Sequence, residues 1–295
     1  MKPRVMVTGA AGLIGQYLVK TAPRWAPQWD VQGLTRAALD LTDHVAVERA
    51  WHRVQPGAVI HCAALSRTKD CEQDPERARR VNVDATTHLA RLCTDIPFVF
   101  LSSGEVFDGR REWYREDDRP APINVYGKTK VEAERHVLRN PRHTVVRIVL
   151  TAGMSQNGDR SFVEDICRTA KAGRTVTLYA DEFRCPLPAG VIARALWELV
   201  QRDRPGLYHL GGSERLSRWE IGEALLPWYP ELNGRLIKGS SQDHRGAPRP
   251  ADLSLNCEKI QRLLPFPIPG FRSWLGGRKR RDIDLWDYES DSCEA

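Results

Sequence analysis

Short, nearly unbroken apolar runs recur through the first half of the chain. Each is followed by a longer stretch whose apolar positions come three and four residues apart. The runs at 5–7, 31–34, 58–61, 98–101 and 144–149 read as strands, and the stretches at 13–21, 45–54, 75–92 and 126–138 as helices. Strands that are apolar on both faces and alternate with helices predict an α/β fold, a doubly wound parallel sheet of the Rossmann kind with helices on either side. Past Thr151 the pattern loosens. Helices are expected at 162–172, 191–201 and 219–226, the last with Ser217 as N-cap, and strands at 176–179 and 206–210. Proline becomes more frequent after Pro227. The expected organisation is a dinucleotide-binding domain over 1–150, then a smaller, mainly substrate-binding lobe over 151–275 with segments returning to the first domain. A charged, disordered tail is expected over 276–295.

Composition narrows the function classes. A chain of 295 residues, 41% hydrophobic, has no apolar run near the roughly 18 residues a membrane-spanning helix needs. The N-terminus enters a strand directly and shows no secretory signal. Seven cysteines are scattered without a C-x-x-C pair, which predicts reduced thiols in the cytoplasm and no zinc site. The eight histidines form no metal-binding pattern, so no metal is expected. The net charge of +6 includes the basic run 278–281, but acidic residues from Asp282 to Glu294 follow at once and argue against nucleic acid.

Gly9, Gly12 and Gly15 follow a strand and open a helix, with Leu13 and Ile14 between the last two. That context suits a dinucleotide pyrophosphate: a tight turn, close backbone approach, and close packing of helix on strand. The second strand runs into Thr35-Arg36, with no acid before Asp40. A guanidinium at Arg36 would bind a ribose phosphate, which favours NADP(H); Asp40 keeps NAD(H) open. Ser103 ends the fourth apolar run. Tyr126 and Lys130, four residues apart, share one helix face. An ammonium beside the phenol would lower its pKa and make it a proton donor to a carbonyl, with Ser103 polarising the carbonyl oxygen.

These segments, with His61-Cys62-Ala63-Ala64, Val81-Asn82, Ser102–Gly109 and Pro120–Lys130, resemble the dTDP-4-dehydrorhamnose reductase branch of the extended short-chain dehydrogenase/reductases. The resemblance runs from Val5 to about Leu263. It implies a Rossmann domain with a C-terminal lobe closing over a nucleotide sugar, and reduction of the sugar's 4-keto group. Implied catalytic residues are Ser103, Tyr126 and Lys130. Implied cofactor contacts are Gly9, Gly12, Leu13, Ile14, Gly15, Arg36, Asp40, Leu41, Ala63, Ala64 and Leu65, together with Tyr126 and Lys130. Ser66, Ser103 and Gly104 are expected at the substrate, and Arg249, in the late Arg-Pro motif, at its diphosphate. Three positions depart from the branch: Gly104-Glu105 stands for Asp-Tyr, Leu150 for an aromatic, and Thr68-Lys69 for Val-Asp. The same segments also resemble the regulatory β-subunit of methionine adenosyltransferase, which implies an NADP-binding partner protein. A nucleotide-sugar epimerase or dehydratase would keep the same fold. A homodimer is left open.

Overall fold

In the computed structural model, which describes residues 2–278, the apolar runs form strands β1 (Arg4–Thr8), β2 (Asp30–Leu34), β3 (Ala58–His61), β4 (Phe98–Ser103) and β5 (His143–Ile148). Between them lie α1 (Leu13–Trp25), α2 (His44–Val54), α3 (Thr68–Gln73), α4 (Pro75–Arg79), α5 (Ala85–Leu92) and α6 (Val125–Val137). The later part contains β6 (Thr151–Ala152), α7 (Phe162–Lys171), β7 (Val176–Tyr179), β8 (Phe183–Arg184), β9 (Leu187–Pro188), α8 (Ala189–Arg202), β10 (Gly206–Leu210), β11 (Leu216–Ser217), α9 (Arg218–Leu225) and β12 (Leu236–Gly239). Past Arg278, the expected charged tail lies outside the described residues.

Six strands pair in parallel in the order β10-β5-β4-β3-β1-β2. The chain reverses direction across the sheet between β1 and β3, so the connections leaving those strands part and open a crevice at their carboxyl ends. Alternation along the strands separates two cores. Val5, Val7, Ile60, Val99, Leu101 and Val146 pack with α1 and α8, while Met6, Val59, Phe98, Phe100 and Val145 pack with α2, α5 and α6. The later strands make two-stranded pairs, β6 with β9, β7 with β12 and β8 with β11. Single bridges from Tyr114 to Leu255 and from Phe183 to Asp252 carry the late chain back beside β8 and the loop before α6.

Two features of the helices bear on the site. The helix predicted over 75–92 is interrupted by a π-helical turn, Arg80–Asp84, between α4 and α5. This turn holds Asn82, 1% exposed. The second concerns α6. Tyr126, Lys130 and Glu134 form one row at successive turns, and Glu134 is locked to β5 by Arg147 through two hydrogen bonds of 3.0 and 2.7 Å. Ser102 also donates to Glu134, and Arg147 lies 3.3 Å from His209 of β10. A buried, fully bonded ion pair of this kind fixes the register of helix on sheet more than it adds stability.

Candidate active site

The first and last glycines of the turn each have a geometric reason. Gly9 takes φ 69°, in the left-handed region. A Cβ there would lie 2.7 Å from the Ala63 amide nitrogen, and one on Gly15 would lie 2.2 Å from the Gly9 carbonyl oxygen. β1, β3 and α1 therefore meet closely at the head of the crevice. Helices α2, α6, α7 and α9 begin on Asp43, Asn124, Ser161 and Ser217, whose side chains accept from their own first-turn amides. Helix α1 begins on Gly12 with no side-chain cap. Its first amides remain as donors, a fit for the pyrophosphate of a dinucleotide.

A cleft of about 750 Å³ opens from this turn. Every expected cofactor contact from Gly9 to Leu65 lines it, and so do Ser66, Ser103 and Tyr126. Arg36 is exposed at the ribose end with no hydrogen bond or ion pair among the described residues. Asp40 is already engaged, its Oδ1 accepting from the Thr42 amide at 2.9 Å and the Thr42 hydroxyl at 2.7 Å. Thr42 and, more weakly, Arg36 hold its carboxyl below the usual range.

Lys130 lies beneath the cleft floor, 2% exposed. Its Nζ donates to the Leu101 carbonyl at 2.6 Å and stands 4.0 Å from the centre of the Phe100 ring. This corrects the expectation of a phenol acidified by its helical neighbour. Burial pushes the Tyr126 phenol up and the Lys130 ammonium down to about 7, because each charged form loses water. The nearby Ser103 hydroxyl opposes the rise, and the Glu105 carboxylate adds to it. Ser103 and Tyr126 therefore line one cleft, while the lysine supports its floor from behind.

Two expected substrate contacts fall elsewhere. Gly104 is buried and does not line the cleft; a Cβ there would lie 2.6 Å from Val149 Cγ1. Arg249 turns away to Glu182, donating from Nε at 2.8 Å and from Nη2 at 2.7 Å. The pull of a buried carboxylate, 1% exposed, accounts for its direction.

Other side chains complete the site, among them residues named in the sequence only as family markers or departures and given no role. Asn82 accepts from the Leu65 amide at 2.8 Å and donates to the Leu65 carbonyl and Thr129 Oγ1, both at 3.0 Å. It ties the loop after β3 to α6, between Tyr126 and Lys130. His61 joins Thr8 of β1 at 2.7 Å to Thr86 of α5 at 2.9 Å, with burial pushing its pKa down to about 3. A polar residue in an apolar strand run, and an asparagine inside a helical pattern, are the signals that mark these two. Glu105, Phe162 and Arg184 also line the cleft. Gly127 has its own function: a Cβ there would lie 2.1 Å from the Glu105 carbonyl oxygen, so only glycine lets the turn after Ser103 rest on the start of α6.

The sequence profile of the RmlD substrate binding domain matches residues 2–277. The chain belongs to this family. It is 30% identical over 283 residues to a dTDP-4-dehydrorhamnose reductase of Sinorhizobium fredii, covering 91% of this chain and 94% of that protein. It is also 30% identical over 304 residues to methionine adenosyltransferase 2 subunit beta of Danio rerio, covering 98% of this chain and 92% of that one. A crystal structure of a Bacillus anthracis dTDP-4-dehydrorhamnose reductase in complex with NADP superposes with a TM-score of 0.84, covering 94% of this chain and 98% of the other. At 24% identity this last match shows the shared fold.

Proposed function

We propose that the chain is an NADPH-dependent reductase of the 4-keto group of a nucleotide-linked 6-deoxy sugar. The observation that carries the proposal is the meeting of Ser103 and Tyr126 in one cleft with an uncapped, glycine-rich helix start. NADPH, when bound, supplies a hydride to the carbonyl carbon. Tyr126 holds a proton at Oη and releases it to the carbonyl oxygen, while Ser103 Oγ donates a hydrogen bond to that same oxygen. The α1 amides would hold the pyrophosphate. Arg36, free where Asp40 is engaged, would hold the 2′-phosphate, which supports NADP(H) over NAD(H).

The far wall supports a diphosphate substrate. Around the single buried carboxylate of Glu182 stand Arg249, Arg184 at 3.1 Å, and Arg218, whose pKa burial lowers to about 10. Arg184 reaches the cleft with a side chain 7% exposed. Glu105 also faces Arg249 and Asp165 faces Arg218, and the guanidinium of Arg184, at the cleft, offers donors to a dianionic ligand. In this reading residues 1–150 carry the cofactor, and residues 151–275 mainly carry the sugar. The six described cysteines are unpaired, which supports a reducing, cytoplasmic setting.

The test is NADPH oxidation with dTDP-4-dehydro-6-deoxy sugars. Tyr126→Phe is expected to lower turnover by about 10²-fold or more while NADPH affinity stays within a few-fold. Absence of turnover in the unmodified chain, or full activity in the variant, would refute the proposal. A second reading rests on the match over 98% of the chain to methionine adenosyltransferase 2 subunit beta: an NADP-binding partner subunit. Tight binding to a methionine adenosyltransferase catalytic chain, without sugar-dependent NADPH oxidation, would favour it. An epimerase or dehydratase of the same fold would form product with no net loss of NADPH.

A further inference from the structure

Glu105 is a half-buried carboxylate in the turn that follows Ser103, and it lines the cleft with Ser103 and Tyr126. Its position is fixed. The backbone rests on Gly127, and the amide donates to Ser103 Oγ at 3.2 Å. Oε2 accepts from Asn124 Nδ2 at 2.8 Å. Asn124, 1% exposed, is anchored in turn: its Oδ1 accepts from the Gly127 amide at 2.8 Å, and Nδ2 also donates to the Pro248 carbonyl at 3.1 Å. Glu105 Oε1 has no hydrogen-bond partner among the described residues. Of the other acids of the cleft, Asp40 is engaged with Thr42, Asp159 with Arg67 and Arg160, and Asp165 with Arg168, while Asp70 stands in α3, past the loop that follows β3. The wall beside Ser103 therefore presents a fixed carboxylate oxygen as an acceptor, with the Arg249 guanidinium near enough to interact with it.

We propose that Glu105 reads the sugar, accepting a hydrogen bond from a neutral, hydroxylated ring and rejecting one that bears a carboxylate. The proposal rests on the nucleotide-sugar reading above. A carboxylate repels a like charge several ångströms away when water is largely excluded, so the selection needs no particular ring atom in contact.

The experiment uses a matched pair, dTDP-glucose and dTDP-glucuronic acid, titrated calorimetrically into the full chain with NADP present. The unmodified protein is expected to bind the neutral sugar at least about tenfold more tightly. Glu105→Gln keeps the shape and the acceptor for Asn124 but removes the charge. It is expected to bring the two affinities within about threefold, chiefly through tighter binding of the glucuronic acid. Unchanged NADP affinity serves as the check that the variant is folded. An equal preference ratio in both proteins overturns the role of Glu105 alone. Failure of the unmodified, NADP-binding protein to take up either nucleotide sugar removes the nucleotide-sugar reading together with this inference.

Discussion

Replacing Asn82 by alanine tests whether the π-helical turn holds the active site together. Asn82 makes three hydrogen bonds and is 1% exposed, so water does not replace what is removed. The three losses are unequal. The Leu65 amide loses its acceptor, which costs about 1–3 kcal/mol for a donor away from solvent. The Leu65 carbonyl keeps the Cys71 thiol at 3.2 Å, and the Thr129 hydroxyl keeps its bond to the Tyr126 carbonyl at 2.7 Å. Each of these therefore loses a smaller amount, about 0.5–1 kcal/mol. Together the change amounts to about 2–5 kcal/mol, large against the total stability of a domain. Leu65 lines the cleft and Thr129 lies between Tyr126 and Lys130, so the loosened loop also displaces the reacting groups. Amide hydrogen exchange at Leu65 reports the local effect, denaturant unfolding the global one, and kcat/KM with NADPH the functional one. Protection at Leu65 is expected to fall about tenfold or more. A stability loss below about 0.5 kcal/mol, with exchange and kcat/KM unchanged, would show that the turn does not hold the loop.

Three further changes bear on separate parts of the argument. Arg36→Ala is expected to weaken NADPH by about tenfold or more and NADH by about twofold at most, measured by fluorescence titration; equal losses would count against a phosphate contact. Gly127→Ala places a methyl 2.1 Å from the Glu105 carbonyl oxygen and should cost about 1–3 kcal/mol and most of the activity, so an unchanged melting temperature would contradict the close approach. Lys130, lowered by burial from 10.5 to about 7, is neutral in the fold between those values and charged in the unfolded chain. Below about pH 7 both states are charged and the full burial penalty applies; it is relieved as pH rises towards 10.5. Stability should therefore gain a rising contribution over that window that Lys130→Met lacks, and identical pH slopes in the two proteins would refute it.

What the sequence made legible was local. The glycine turn, the apolar strands and the tyrosine–lysine row each depend on spacing within one element, and spacing is visible along a chain. The cap of α9 by Ser217 likewise lies within three residues of the amide it serves. Contacts between distant segments left no such trace. Arg249 meets Glu182 from 67 positions away, through the fold of the late segment, so its place in an Arg-Pro motif said nothing about where it would turn. Leu65 and Asn82 are likewise joined only because the loop after β3 folds over the π-turn, an irregularity that helical periodicity does not register.

The largest disagreement concerned charge. Four-residue spacing brought Tyr126 and Lys130 onto one face, from which a lowered phenol pKa seemed to follow. Spacing carries no information about solvent, and burial of both groups acts against both ions. The lysine satisfies its ammonium on the Leu101 carbonyl, 2.6 Å away, and leaves the phenol to Ser103. A tyrosine whose pKa is raised carries its proton throughout the neutral range. That is the form a carbonyl reduction consumes, whereas alcohol oxidation requires the phenolate. The phenol is therefore loaded for the proton-donating step of a carbonyl reduction without the expected acidification.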